Sequence, residues 1–393
     1  VAEAGSHHDG PTGLSAMAPG EAASDVRVPV ELGTRSYDIV VVSGRPTGFG
    51  PFVRGALDAS WSGRSCRSAL VVADEHLKGL GLLDAYCDAL AGVGIEPAVA
   101  ILPPGEATKS LASASRLYDV LVNHMADRHT AVVAIGGGVI GDLAGFVAAT
   151  YARGIPLVMV PTTLLAQVDS SVGGKVGVNH PGAKNIIGAF HQPSGVWIDT
   201  ETLRTLPDRE IRCGLAEVVK YGVILDGAFF EELERSVEAI LRRDARMLRR
   251  IVARSCELKA SVVSRDEREE TGLRAVLNFG HTIAHAIEAV AGYDGPYQHG
   301  EAVAVGMVAE ARLAERLGWI TPEIVGRIHR LLDRLGLPTT APELDPDRLI
   351  SAMARDKKNR GGRIRFVLPR SLGHVELTDA VGESDILAVL ATL

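Results

Sequence analysis

Apolar and polar positions change rhythm part-way along the chain. In the first half, short β-branched runs over 37–43, 68–73, 97–102 and 130–135, and one ending at Val160, predict strands. Between them lie amphipathic stretches. One carries Leu80, Leu82, Leu83, Tyr86 and Leu90; a second, over about 108–126, places Leu117, Val120, Leu121 and His124 on one face. Strands alternating with helices predict a mostly parallel sheet covered on both faces. From Pro207 onward apolar residues recur at three- and four-residue spacing, predicting helices over 207–223, 227–242, 245–264, 272–291, 300–317 and 322–335. An extended run over 364–368 follows, and no internal repeat is evident. The expected organisation is a disordered leader over 1–25, an α/β domain over 26–206 and a helical domain over 207–393.

Length supports that division: 393 residues suggest two domains with ample core. With 46% hydrophobic and 23% charged residues the chain reads as soluble and globular. The net charge of −7, with acids and bases interspersed, argues against a nucleic-acid partner. The apolar run over 154–168 is short and broken by Pro156 and Pro161, so no membrane span is expected. Cys66, Cys87, Cys213 and Cys256 are scattered without a CxxC, which fits a reducing cytoplasm.

The predicted strand over 130–135 runs into a glycine-rich turn. Gly136, Gly138 and Gly141 satisfy G-x-G-x-x-G at a strand-to-helix junction, where bare backbone can approach a pyrophosphate. The alternative is a tight turn where helix and strand pack closely. No acidic residue lies at the usual ~20-residue distance downstream. Asp74 and Glu106, at the ends of earlier strands, could supply ribose contacts to a dinucleotide instead. The polar segment after Val160 carries Asp169 and Lys175 in an expected loop, with Lys184 and Asn185 beyond it.

Three of the 12 histidines, His281, His285 and His299, fall within one stretch. His281 and His285, four apart, share a helix face; Asn278 and Arg274 lie about one and two turns before His281. Neutral imidazoles with a carboxylate make an open catalytic metal site. Buried histidines satisfied by hydrogen bonds are the alternative.

GGGVIGDLAG, PTTLLAQVDSSVGGK, KNIIGAFHQP, TLPDREIRCGLAEVVKYG, GLRAVLNFGHTIAHAIEA and HGEAV together resemble 3-dehydroquinate synthase, a sugar phosphate cyclase, from about Val28 to His374. The resemblance implies a Rossmann-like NAD-binding domain, a mainly helical metal-binding domain, and an active site in the cleft between them. It assigns a divalent metal, usually zinc with cobalt as the alternative, to Glu217, His281 and His299. Spacing alone selects His281 and His285. It implies NAD contacts from Asp74, Glu106, Lys109, Gly137, Gly138, Val139, Asp142, Thr162, Thr163, Leu165, Lys184, Thr205 and Glu210. Phosphate contacts would come from Lys175, Asn185, Asn278, His285 and one of Lys357 and Lys358, with Arg153 reaching over from the second subunit of a homodimer. Arg274 and Lys259 would bind a substrate carboxylate, and Asp169 and Lys220 would contact ring hydroxyls and relay protons. One departure stands out: the family most often shows Thr-Ala where this chain has Val176-Gly177.

The implied reaction, that of a carbon–oxygen lyase acting on a phosphate, closes 3-deoxy-D-arabino-heptulosonate 7-phosphate to 3-dehydroquinate. The nearest alternatives are cyclases that make amino-dehydroquinate, valiolone-type or 2-deoxy-scyllo-inosose rings. The valiolone-type and inosose substrates lack a carboxylate and have no use for Lys259 and Arg274. A metal-dependent alcohol dehydrogenase is the alternative of a different class.

Overall fold

The computed structural model describes residues 25–60, 65–292, 295–354 and 364–393. Lys357, Lys358 and positions 1–24 of the expected leader lie outside these described residues.

Seven strands form one sheet: β1 (Val26–Val30), β2 (Tyr37–Val42), β3 (Ser68–Asp74), β4 (Glu96–Leu102), β5 (Thr130–Gly136), β6 (Leu157–Pro161) and, after the hairpin strands β7 (Lys175–His180) and β8 (Ala183–Phe190), β9 (Gly195–Asp199). Their order is β1-β2-β9-β6-β5-β3-β4, parallel except for β1, which runs antiparallel to β2. β3, β5 and β6 are apolar almost throughout because both sheet faces are covered. Helices α1 (Phe49–Ser60) and α2 (Leu82–Ala91) close one face over Val53, Leu57, Tyr86, Leu90 and Trp197. Helices α3 (Leu111–Asn123) and α4 (Gly138–Thr150) close the other, in a core continuous with the helical half. The chain leaves β3 outward to β4, then returns to β5 on the other side of β3. The crevice between the C-terminal ends of β3 and β5 is therefore a topological switch point, where open α/β sheets bind ligands.

The second half holds α5 (Asp208–Leu225), α6 (Gly227–Leu241), α7 (Ala245–Val263), α8 (His281–Ala291), α9 (His299–Arg316), α10 (Pro322–Arg334) and α11 (Pro346–Ala354). A small hairpin of β10 (Phe366–Ser371) and β11 (His374–Thr378), then α12 (Glu383–Leu390), completes it. The α5 and α9 backbones come so close that a Cβ on Gly300 would meet the Cys213 carbonyl oxygen at 2.0 Å.

Two expectations are corrected. The single helix expected over 272–291 is broken into a 3-10 turn, Leu273–Asn278, and α8. Phe279 turns extended and Gly280 left-handed, at φ 81°, so His281 begins a new helix. The expected loop around Asp169 and Lys175 is also structured. A π-helical turn, Ala166–Ser170, holds Asp169, and Lys175 opens the β7–β8 hairpin, whose Val176 and Val178 are buried.

Asp226 caps α6 by accepting from Phe229 N and binds Arg254 through both Nε (2.9 Å) and Nη2 (2.6 Å). Burial opposes its charge, but the cap and Arg254 hold its carboxyl below the usual range. A depressed folded value stabilises above the unfolded value of about 3.9 and loses that stabilisation as pH falls further. Asp226→Ala should cost about 1–2 kcal/mol at pH 7. The gap in urea midpoint from the unsubstituted protein should narrow below about pH 4; a gap independent of pH would contradict this.

Candidate active site

The site begins with a buried carboxylate. Glu217, midway along α5, is 0% exposed, and neither of its oxygens accepts a well-aligned hydrogen bond. Its immediate charged neighbour is Lys220, one turn on and 2% exposed, whose ammonium pairs with Oε2. A carboxylate in such a place needs compensation. Facing it are His281, the first residue of α8, with Nε2 at 3.5 Å from Oε1, and His299, the first residue of α9, with Nε2 at 3.7 Å. One potential ligand atom from each of the three lies within 4.8 Å of the others, the only such His/Cys/Asp/Glu group among the described residues.

Both rings point Nε2 inward because Nδ1 is engaged on the far side. His281 Nδ1 lies 3.1 Å from Phe279 O. A carbonyl can only accept, so Nδ1 carries the proton and Nε2 carries the lone pair. His299 Nδ1 lies 3.5 Å from the Glu288 carboxylate. Burial disfavours the charged ring of His299, but contacts to Glu217 and Glu288 outweigh it and push the group up to about 10. A carboxylate and two imidazoles whose outer nitrogens are tied back fit a divalent cation. His285 stands beside this group, its ring edge-on to His281 with centroids 5.6 Å apart.

A proton-bearing network adjoins it. Asp169 Oδ1 accepts from Lys259 Nζ at 2.7 Å and from the Tyr221 hydroxyl at 2.8 Å, and Lys259 also donates to the Asp169 carbonyl at 2.6 Å. Burial opposes the charge of Asp169, but Lys259, Lys220 and Tyr221 more than offset it and hold the carboxyl well below its usual range. Burial pulls Lys259 down, against Asp169. Burial, with Asp169 and Glu217 beside it, keeps the Tyr221 phenol protonated.

Across from this lies a pair of cations. Lys175 pairs with Glu269, and Arg274 Nε lies 3.7 Å from the same carboxylate. Arg274 is 3% exposed; its Nη1 and Nη2 donate to Gly173 O at 3.3 Å, and Nη1 to Glu267 O at 2.8 Å. Gly173, at φ 103°, must be glycine here, since a Cβ would meet Arg274 Nη2 at 2.5 Å. Asn278 donates to Ala275 O at 3.2 Å.

At the switch point, Gly137 is the N-cap of α4, with Gly138 and Val139 in its first turn. Its unpaired N–H groups suit an anion. Asp74 ends β3, one residue beyond the Ala73–Ile135 pair with β5, and accepts from His76 N. Thr162 and Thr163 follow β6: Thr162 N donates to Gly136 O and Thr163 Oγ1 accepts from Ala166 N. Leu165 abuts α5 at Gly214. Lys109 Nζ meets Asp142 at 2.5 Å and also binds Asn185 Oδ1, so α4 and the β7–β8 hairpin share one ammonium. Burial raises Asp142 against that partner. Glu106 accepts from Asn179 of the hairpin. Thr205 and Glu210 sit where the chain enters α5; Glu210 accepts from Gln298, next to His299. Lys184 reaches Glu288 at 4.0 Å. Val176 is buried over Gly145 of α4, so the departure from Thr-Ala fills an apolar contact.

Arg153 stands apart. It follows the C-terminal end of α4, a helix of 13 residues and so about 20 Å long. The sequence reading missed Glu288 and Glu310. A lone glutamate on a helix normally faces solvent, so nothing in the sequence marked these.

The N-terminal profile of 3-dehydroquinate synthase matches residues 99–213 and the C-terminal profile residues 214–359. The 3-dehydroquinate synthase of Desulforamulus reducens is 50% identical over 365 residues, 93% of this chain and 99% of that protein. The chain belongs to the 3-dehydroquinate synthase family. Among solved structures, 2-epi-5-epi-valiolone synthase from Streptomyces hygroscopicus subsp. jinggangensis 5008, with NAD+ and Zn2+ bound, is 28% identical at a TM-score of 0.81. The alignment covers 96% of this chain and 99% of that one. A 2-deoxy-scyllo-inosose synthase complexed with carbaglucose-6-phosphate, NAD+ and Co2+ is 26% identical at 0.82, covering 94% and 100%. Dehydroquinate synthases are thus nearer in sequence than these two cyclases of the same fold.

Proposed function

We propose that this protein closes 3-deoxy-D-arabino-heptulosonate 7-phosphate to 3-dehydroquinate with loss of phosphate, using NAD and one divalent metal. It is then a carbon–oxygen lyase of the shikimate route. The observation that carries the reading is the group of the buried Glu217 with the part-buried His281 and His299, flanked by the Asp169–Lys259 pair. The Gly137–Val139 turn, with Asp74, Glu106, Lys109, Asp142, Thr162, Thr163, Leu165, Lys184, Thr205 and Glu210 around it, would hold NAD, which would supply reversible hydride-transfer chemistry. The metal would act as a Lewis acid toward a substrate alcohol.

The protein's own groups do the rest. Lys175 and Arg274 bind substrate anions, Arg274 the carboxylate, in exchange for Glu269. Asn185, Asn278, His285 and one of Lys357 and Lys358 hold the phosphate. Asp169, kept ionised by Lys259, accepts a hydrogen bond from a ring hydroxyl, and Lys220 and Tyr221 hold protons beside it. Fixing one flexible substrate through successive steps is chiefly a positioning task. Since α4 separates Arg153 from its own site, its guanidinium serves a second subunit of a homodimer. The cofactor domain spans 26–206 and the metal- and substrate-binding domain 207–393. No described helix is long and apolar enough to cross a membrane, and all four cysteines are free, which suits the cytoplasm.

Phosphate release tests this. The seven-carbon keto acid phosphate should turn over at least about 100-fold faster than sedoheptulose 7-phosphate or glucose 6-phosphate, the gap expected when a buried cation loses its partner. No NADH absorbance should accumulate. Preference for either sugar phosphate points to a valiolone-type or inosose-type cyclase. NADH growing with product points to a dehydrogenase.

A further inference from the structure

Glu310 lies in the middle of α9, in a run of Ala, Val, Gly and Met, and is 0% exposed. A carboxylate buried there is expensive unless it is bound. Its Oε2 accepts from Gly280 N at 2.7 Å, at the positive N-terminal end of α8.

That N–H belongs to the Phe279–Gly280 peptide, and the carbonyl of the same peptide receives the Nδ1 proton of His281. A trans peptide is planar, with N–H and C=O pointing opposite ways. Holding its N–H therefore fixes the direction of its C=O, and with it the tautomer and tilt of the His281 ring. Gly280 itself, whose Cα closes this peptide, is also confined: a Cβ on it would meet Met307 Cγ at 2.8 Å, and its own carbonyl, in the next peptide, lies where a Cβ on Gly306 would meet it at 2.0 Å. Glu310 and Gly306 share α9 with His299, so one helix carries one ligand and aims another.

We propose that Glu310 is a positioning residue of the metal centre, acting through the Phe279–Gly280 peptide to point His281 Nε2 at Glu217. This rests on the reading of Glu217, His281 and His299 as metal ligands. It places Glu310 beyond the ligands, where a carboxylate ordinarily binds the imidazole directly; here a peptide group stands between them.

The test is metal affinity of the full-length protein, by chelator competition with Zn2+, and the visible spectrum with Co2+. Glu310→Asp keeps the charge but shortens the reach. It should weaken metal binding about 10- to 100-fold, as loss of an outer partner does elsewhere, and shift the cobalt bands. Glu310→Gln keeps the reach but offers a neutral acceptor, so affinity should fall about two- to fivefold. Should Glu310→Asp fail to fold, Glu310→Gln decides. NAD+ affinity should hold in both. Either folded variant binding Zn2+ with unchanged affinity and an unchanged cobalt spectrum would overturn the proposal. If the unsubstituted protein binds no metal, the metal centre itself falls, and this proposal with it.

Discussion

Glu217→Gln should lose the metal and reduce turnover by about 1000-fold or more. Lewis-acid stabilisation contributes several kcal/mol, and each ~1.4 kcal/mol is tenfold in rate. The substitution preserves shape but removes the single negative charge that Glu217 Oε1 offers to two imidazoles at 3.5 and 3.7 Å. It also strips Lys220, 2% exposed, of its partner. Removing one member of a buried pair typically costs about 3–5 kcal/mol. Asp169 remains close enough to Lys220 to offset part of this. The melting temperature should therefore drop while the circular dichroism spectrum stays native. Metal content after dialysis, read beside kcat/KM, is the check. A variant that keeps full metal content and near-normal kcat/KM would remove Glu217 from the ligand set.

Arg274→Ala should lower kcat/KM about 30- to 1000-fold, the equivalent of about 2–4 kcal/mol for a charge-assisted bidentate contact. The guanidinium has a second task, since it anchors the Gly173 carbonyl at 3.3 Å, two residues before Lys175. Truncation should therefore also loosen the turn that presents Lys175 and lower the melting temperature by a few degrees. Arg274→Lys should restore part of the charge but neither the planar fork nor the pair of bonds to Gly173 O. Zinc content and NAD+ affinity should stay near normal in both, in contrast to Glu217→Gln. Near-normal kcat/KM for Arg274→Ala with the seven-carbon keto acid would take Arg274 out of substrate binding. The chief reason for a carboxylate-bearing substrate would go with it.

Much of this protein was legible in its residues. The alternation of β-branched runs with amphipathic stretches specified the parallel strands 68–74 and 130–136, because a strand buried on both faces has to be apolar nearly throughout, and also the half-exposed edge strand 96–102. The three-to-four spacing after Pro207 specified α5, α6, α7, α9 and α10 to within a residue or two, but not the break at Gly280, nor the short helices α11 and α12. The glycine-rich turn and the extended motifs specified the family.

Local pattern has no term for what meets what. Spacing paired His281 with His285, since four residues bring two side chains onto one helix face. Only the packing of α5 against α9 and α8 placed Glu217 and His299, from distant parts of the chain, opposite His281. The break at Gly280 was hidden for the same reason: helical spacing of apolar residues continues through it, and the close packing of α9 against that left-handed residue is a tertiary contact. Glu288 and Glu310 look like ordinary helix-surface glutamates in the sequence. They become partners of the site because tertiary packing takes away the water that would otherwise solvate them and brings His299 to Glu288 and the Gly280 N–H to Glu310.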